Sequence, residues 1–328
     1  MTPERATQHK PSKVPVDVDG HRLVLSNLDK VLYPGANGDT AAFTKGQVLD
    51  YYTRVAPVLL PHLAGRPLTR KRCPDGVEGP SFFEKNAPRG LPEWVRTARL
   101  PTPGSTKNRD VIDFVIADEL ATLVYVANLA SLELHTPMWR VGPRGAVRDP
   151  DMLVIDMDPG PPATIVECCR VAELVREASP REWYAKTSGS KGMQLYARSA
   201  RKASAETTSE EVRALAEKLE KAHPELVVSK MAKALRPGKV LIDWSQNNPA
   251  KTTVSVYSLR ARPRPWVSTP VSWDEVTGCT NARQLVFEAD DVLRRVEEMG
   301  DLFAPLLGLL GPATPDDVTA MRPAGSPA

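Results

Sequence analysis

The sequence is poor in cysteine, in long apolar runs and in charge of one sign. Its four cysteines, Cys73, Cys168, Cys169 and Cys279, form no CxxC pair and no disulfide-type ladder, which excludes a zinc ribbon and a small secreted scaffold. So few cysteines suit a reducing, cytoplasmic setting. No apolar run reaches the length a membrane span requires. The opening stretch MTPERATQHKPSKVPVD has no apolar h-region and does not read as a secretory signal. With 43 basic against 40 acidic side chains the net charge is only +3, so global charge does not mark a nucleic-acid binder.

What is present describes a globular chain. Hydrophobic residues make up 41% and charged residues 25%, enough for a real core. A length of 328 residues accommodates one large domain or two ordinary ones. TKGQVLDYYTRVAPVLLPHLAG carries apolar residues at helical spacing, with Thr44 placed to cap its start and Gly65 to stop it. ADELATLVYVANLASLELH reads as a helix running into a strand-like LELHTPMWR. ATIVECCRVAELVREA reads as an amphipathic helix, and SEEVRALAEKLEKAH as a helix opened by its own serine. MLVIDMD, KVLIDWSQ and TTVSVYSLRARP read as strands, and WYAKTSGSKGMQLYAR as two strands joined by a Gly/Ser turn. Helices interleaved with hairpins predict α+β rather than a doubly wound parallel sheet.

One stretch, DMLVIDMDPG at 151–160, brings two aspartates to the end of an apolar strand. Residues i and i+2 of a strand share a face, so Asp156 and Asp158 project together while Ile155 and Met157 turn to the opposite layer. Adjacent carboxylates repel unless something positive lies between them, and a divalent metal is the usual answer. Taken alone, a strand-ending Asp-Pro-Gly turn is the simpler explanation. Asp243 in KVLIDWS ends a second apolar run; it reads equally as a strand-end acceptor and as a third metal ligand. Three such carboxylates are the usual oxygen cage for two Mg²⁺ or Mn²⁺ ions.

The neighbouring residues suit phosphate. TSGSKG offers Ser188, Gly189, Ser190 and Lys191 in a turn whose N–H groups can cradle a triphosphate, although it lacks Walker spacing and an ordinary hairpin turn accounts for it. SKMAKALRPGKVLID places Lys230, Lys233, Arg236 and Lys239 ahead of Asp243, and WSQNNPAKTTVSVYSLR adds Gln246, Lys251 and Arg260 behind it. Surface ion pairs, each worth about 0–1 kcal/mol, are the plain alternative. His135 reads as a core or rim histidine. Phe82 and Phe83 plug a core or, if exposed, stack on bases. Lys30 and Lys45 are helix-start residues or phosphate contacts.

Taken in order, LSNLDKVLYP, GRPLTRKR, FFEK, LASLELHTPMWR, VIDMDPG, TSGSKGMQLY, KALRPGKVLIDWSQN and YSLRARP resemble one family over roughly residues 22–300. It is the polymerase domain of bacterial ligase D with its stand-alone primase-polymerase relatives, a branch of the archaeo-eukaryotic primase superfamily. The resemblance implies that superfamily's α+β fold, a mixed β-sheet catalytic core with an N-terminal α/β module. The module would cover about 20–140 and the core about 141–300, within one domain at 20–311. A disordered arm at 1–19 and a disordered tail at 312–328 would flank it. Asp156, Asp158 and Asp243 would hold two Mn²⁺ or Mg²⁺ ions. His135, Ser188, Gly189, Ser190, Lys191, Gln194, Lys233, Arg236, Gln246 and Arg260 would bind the incoming NTP or dNTP. Lys30 and Lys45 would grip a 5′-phosphate, and Lys71, Phe82 and Phe83 would contact gapped or broken-end DNA. The implied activity is template-dependent synthesis that fills short gaps before ligation and prefers ribonucleotides.

The chain departs from the family pattern SGSKGxH at Gln194, which can donate to a phosphate oxygen but carries no charge, so weaker nucleotide binding is expected. No KxDG ligase motif occurs, which implies a stand-alone enzyme served by a DNA ligase in trans, with Ku a further partner at broken ends. The short linker from His135 to Asp156 leans towards excision-type gap filling over end bridging. Three rivals stand beside this reading. A non-catalytic gap- or end-binding protein that recruits a ligase is favoured by Gln194. A primase starting chains de novo would use the same site. A metal-dependent nuclease would have no use for Lys233, Arg236 and Arg260.

Overall fold

An Asp-Gly pair sets the first element. Asp19 and Gly20 both hold φ in the left-handed region, as the tight turn between right-twisted strands requires. They fold β1 (Lys13–Val18) onto β2 (His21–Ser26), in register from Lys13 against Ser26 to Val18 against His21. Residues 13–18 are therefore a strand and not part of a disordered arm. The computed structural model describes residues 13–35, 41–102 and 110–308. Residues 1–12 of the expected arm and the whole expected tail, 312–328, lie outside the described residues.

β3 (Val31–Tyr33) and β4 (Phe43–Thr44) lead into α1 (Lys45–Leu63). Thr44 caps this helix as its sequence predicts: its hydroxyl accepts from the Gln47 N–H, and the Gln47 side chain accepts from the Thr44 N–H. β5 (Thr69–Arg72), β6 (Phe82–Glu84), the hairpin of β7 (Thr97–Pro101) and β8 (Val111–Val115), α2 (Leu120–Asn128) and β9 (Ser131–Thr136) follow. The chain continues through β10 (Met152–Pro159), α3 (Ile165–Ala178), β11 (Tyr184–Thr187), β12 (Met193–Arg198) and α4 (Ala205–Ala222). It ends with β13 (Val227–Val228), β14 (Val240–Asp243), β15 (Thr253–Val254), β16 (Pro270–Val271), α5 (Trp273–Thr277) and α6 (Ala289–Met299).

The central sheet has the order β13-β14-β10-β12-β11-β16 and is antiparallel throughout except between β13 and β14. A second sheet has the order β15-β9-β5-β6. Strand β10 separates two cores. Leu153, Ile155 and Met157 enter one with α3 and α4, while Met152 and Val154 enter the other with α1, α2 and β9. Asp156 and Asp158 continue the second face past the end of that core, and both are half-buried. Ile155 and Met157 are fully buried, which stabilises by about 1.5–3 kcal/mol each and offsets the cost of holding the carboxylates beside them.

The two halves interlock and do not divide at residue 140. β15 returns to pair with β9, and Val256, Leu259, Phe303 and Leu306 complete the core built by α1 and α2. TTVSVYSLRARP is a strand only at Thr253–Val254, because Tyr257 adopts a left-handed φ and turns the chain. Helix α4 opens at Ser204, whose hydroxyl accepts from the Thr207 N–H, earlier than its internal serine suggests.

Candidate active site

Asp156 stands directly opposite Asp243 in the β10–β14 register, and Asp158 lies two residues on along the same face. Burial, then the Asp158 charge, raise the Asp156 carboxyl to about 7, with a hydrogen bond from Gln194 opposing and Asp243 adding to the rise. Burial also raises Asp158, against the pull of Lys191 and with Asp243 adding to the rise. Asp243 is a strand-end acceptor as well: its Oδ1 accepts from the Ser245 N–H at 3.1 Å and its Oδ2 from Gln246 Nε2 at 2.8 Å. Asn247 fastens this turn to β10, accepting from the Val154 N–H at 2.9 Å and donating to Val154 O at 2.8 Å. Among the described residues no three His, Cys, Asp or Glu side chains gather round one point as they stand. The donor set nevertheless fits a hard divalent cation: it is all oxygen, thrice negative when ionised and mutually repelling.

Gln194 lies beside Asp156 on β12 and donates from Nε2 to Asp156 Oδ1 at 2.9 Å. Its Oε1 accepts from the Lys186 ammonium at 2.6 Å. Lys186 is 1% exposed and also donates to Val254 O at 3.1 Å and Ser268 Oγ at 2.6 Å. Gln194 is thus taken at both ends by the protein. Its NH₂ end faces Asp156, one of the three aspartates expected to hold metal.

That turn is closed by the Ser188 N–H donating to Gly192 O at 2.9 Å. Gly189 has φ +62°, and a Cβ there would fall 2.8 Å from the Ser268 nitrogen and 2.6 Å from Arg260 Cγ. The arginines behind SLRARPRP hold the turn: Arg260 donates to Ser188 O and Arg262 to Ser190 Oγ. Lys191 stays exposed beside Asp158. On the other side, the loop carrying Lys233 and Arg236 packs against the end of β10, where a Cβ on Gly160 would lie 2.1 Å from Arg236 O. The Gly160 N–H donates to Lys239 O at 2.8 Å. The Nε atoms of Arg236 and Arg260 are buried with no hydrogen-bond partner among the described residues.

Glu133 joins this region to the second sheet. It accepts from His135 Nε2 at 2.8 Å and from the Ala261 N–H at 3.0 Å, with Lys71 Nζ and Arg260 Nε each at 3.4 Å. Burial alone would raise its carboxyl, but the His135 hydrogen bond, Arg260 and Lys71 outweigh it and hold it well below the usual carboxylate range. Burial lowers His135, against the pull of Glu133. The Phe83 ring meets the His135 ring edge-on at 5.4 Å. Phe82 and Phe83 are 45% and 55% exposed on the edge strand β6, with the Arg72 guanidinium 5.4 Å from the Phe82 ring centre. They therefore do not plug a core. Lys30 donates to Asp75 at 2.8 Å in the open. Lys45 is buried, donates to Ser26 O at 2.6 Å, and is lowered to about 8 by burial, with Lys30 and Arg72 adding to the effect.

A family model described as the LigD primase-polymerase domain matches residues 44–303. The chain belongs to that family. It is 43% identical over 290 residues to the multifunctional non-homologous end joining protein LigD of Mycolicibacterium smegmatis, covering 87% of this chain and 36% of that protein. It is 40% identical over 297 residues to the LigD of Mycobacterium tuberculosis, covering 87% and 37%. The bifunctional LigD of Bacillus subtilis is 29% identical over 283 residues, covering 85% and 43%. The chain thus spans well under half the length of these relatives. A solved structure, the polymerase domain of M. tuberculosis ligase D in complex with DNA, superposes with a TM-score of 0.80 at 38% identity, covering 88% of this chain and 98% of that one.

Within this LigD-type domain, Asp156, Asp158 and Asp243 come together with Gln194, Gln246, Lys191, Arg236 and Arg260, while Phe82 and Phe83 stand exposed on β6, Lys30 is half-buried and Lys45 is buried at the start of α1. Sequence reasoning missed Glu133 and Lys186. Both carried the signal used for the aspartates: each is a lone charge in an apolar strand, in SLELHTP and WYAKTSG. No helix among the described residues is long and apolar enough to cross a membrane.

Proposed function

We propose that this chain is a template-dependent nucleotidyltransferase of DNA repair, extending a primer 3′ end on gapped or broken DNA. The observation that carries this reading is the opposed pair Asp156 and Asp243, with Asp158 on the same face and basic groups around it. The names of the relatives, which place them in non-homologous end joining, and the DNA in the similar solved structure support it.

Asp156, Asp158 and Asp243 would hold two Mn²⁺ or Mg²⁺ ions, which lower the pKa of a bound hydroxyl and offset triphosphate charge. The guanidinium groups of Arg236 and Arg260, with Lys191, Lys233, Ser188 and Ser190, suit the phosphates of an NTP or dNTP. Glu133 engages His135 Nε2, which leaves Nδ1 as the ring atom free to meet the nucleotide. Phe82 and Phe83 present faces on which template bases stack. Lys45 and Lys30 receive a downstream 5′-phosphate. Ribonucleotides are preferred and gaps are short in this reading, with a DNA ligase sealing in trans, Ku a partner at broken ends, and the cytoplasm as the setting. The hydrogen bond from Gln194 to Asp156 supports catalysis over mere recruitment of a ligase.

The test is primer extension on a short gapped duplex with and without a 5′-phosphate, supplied with Mn²⁺ and either ribo- or deoxyribonucleotides. Extension that disappears in Asp156→Ala and weakens without the 5′-phosphate is expected. Tight gap binding with no extension under any metal would overturn it in favour of recruitment. A two-ended substrate run alongside separates end joining from single-strand gap filling.

A further inference from the structure

We infer that Lys186 is a positioning residue for the metal site, acting on Asp156 through Gln194. The inference rests on the metal reading of the three aspartates and adds to it a residue that touches neither metal nor nucleotide. Burial, with Arg260 adding, pushes Lys186 well below the ordinary lysine range, so only acceptors around Nζ can hold it as an ammonium, which donates and never accepts. Its three neighbours, Gln194 Oε1, Val254 O and Ser268 Oγ, are all acceptors and match its three N–H bonds. The Ser268 hydroxyl proton is committed to Thr187 O at 2.8 Å, which leaves a lone pair for the ammonium.

A second donor enforces the same arrangement. Tyr196 Oη lies 3.3 Å from Gln194 Oε1 and 2.8 Å from Thr253 Oγ1. With Thr253 Oγ1 donating to Tyr196 Oη, the single Tyr196 proton goes to Gln194 Oε1 beside that of Lys186, and the NH₂ end of the amide is left to face Asp156. A flipped amide would set an oxygen against the carboxylate and leave the buried Lys186 without an acceptor, at a cost of about 1–3 kcal/mol or more. The chain Lys186–Gln194–Asp156 therefore occupies one lone pair of Oδ1 and fixes the plane of the carboxylate. All the groups sit on strands or on loops bonded to them, so nothing in the chain is free to swing.

The arrangement limits what position 194 can hold. The side chain must accept at the Lys186 end and donate at the Asp156 end. Glutamine does so, and a neutral histidine does so in one tautomer; methionine does neither, and glutamate cannot donate. The experiment is direct Mn²⁺ titration of the full chain, without DNA or nucleotide, by electron paramagnetic resonance of the free ion. Thermal melts accompany it to confirm folding.

Lys186→Met and Gln194→Met should each weaken Mn²⁺ binding roughly ten-fold or more, the scale on which groups behind a metal ligand act. The double variant should be no worse than either single one, because the two residues form one relay. Gln194→His should stay within about three-fold of wild type while Lys186 is present. A folded Lys186→Met with wild-type affinity, or losses that add in the double variant, overturns the inference. Should Lys186→Met fail to fold, Gln194→Met and Gln194→His decide it: loss in the first with retention in the second supports the relay, and wild-type affinity in Gln194→Met overturns it. Asp156→Asn separates the two readings. If it binds Mn²⁺ as wild type does, the metal assignment itself fails; if it alone loses binding, only the relay fails.

Discussion

The carboxylate end of the site and its aromatic end are built on opposite rules. Around Asp156 and Asp243 the supporting side chains are engaged before any substrate arrives: Gln194 with Lys186, Asp243 with Ser245 and Gln246, Asn247 with the β10 backbone. Along β6 the rings of Phe82 and Phe83 stand in solvent on a sheet edge. Under the proposed function, the difference follows from what each end would meet. Phosphoryl chemistry fails when a ligand moves by an ångström, so order is supplied in advance. DNA arrives with any sequence, and an aromatic face stacks on every base. Glu133 stands between them, with Lys71 and His135 from one sheet and Arg260, which holds the Ser188–Lys191 turn, sharing its charge.

The sharpest way to divide the two ends is Asp156→Ala or Asp243→Ala. Single-turnover extension should fall by at least about 10³-fold, since several kcal/mol of charge stabilisation are lost, while gap affinity stays within about three-fold. Next in size is Glu133→Gln, which leaves Arg260 and Lys71 without their counter-ion. Thermal and denaturant unfolding should report a loss of about 3 kcal/mol, with nucleotide KM raised; an unchanged midpoint would show that the hub does not bear on stability. Phe82→Ala and Phe83→Ala should each weaken gap binding by about 1–3 kcal/mol in fluorescence anisotropy, with the melting temperature held, because exposed rings contribute little to the core.

The smallest expected effect is a pH dependence at Lys45. Its folded pKa, about 8, lies below the ordinary lysine value, so its charge is present below pH 8 and lost as pH rises through it. The preference for a 5′-phosphorylated over a 5′-hydroxyl gap should therefore shrink several-fold between about pH 7 and pH 9. Folding stability runs the other way, because the unfolded chain binds the extra proton between about pH 8 and pH 10.5, so this group contributes a stability that rises with pH across that window. Lys45→Gln should remove the pH dependence of the preference.

Much of the fold was legible because it rests on local signals. The Thr44 cap, the alternation that buries Ile155 and Met157, and the Gly/Ser turn at 188–192 are all set by neighbouring residues. The Asp19–Gly20 hairpin was equally local and was overlooked beneath a Pro- and Lys-bearing start. The shortened strand at 253–254 was not legible, since Tyr257 turns the chain through a backbone bond to Ser268, a partner remote in sequence. The three aspartates were found as lone charges on apolar strands. Glu133 and Lys186 look the same in sequence, but what they hold is set by which strands become neighbours. Gln194 reads from the turn before it as a phosphate contact; its hydrogen bond to Asp156 follows from the β10–β12 register, which that stretch alone does not reveal.

The pairing of Lys186 with position 194 also bears on how such a chain can change over generations. Glutamine and histidine codons differ only in their third base. With Lys186 fixed, either residue completes the relay, so a lineage can drift between the two letters without passing through a broken enzyme. Selection would then hold the lysine more tightly than its neighbour, and the residue that looks like the departure would be the one free to vary.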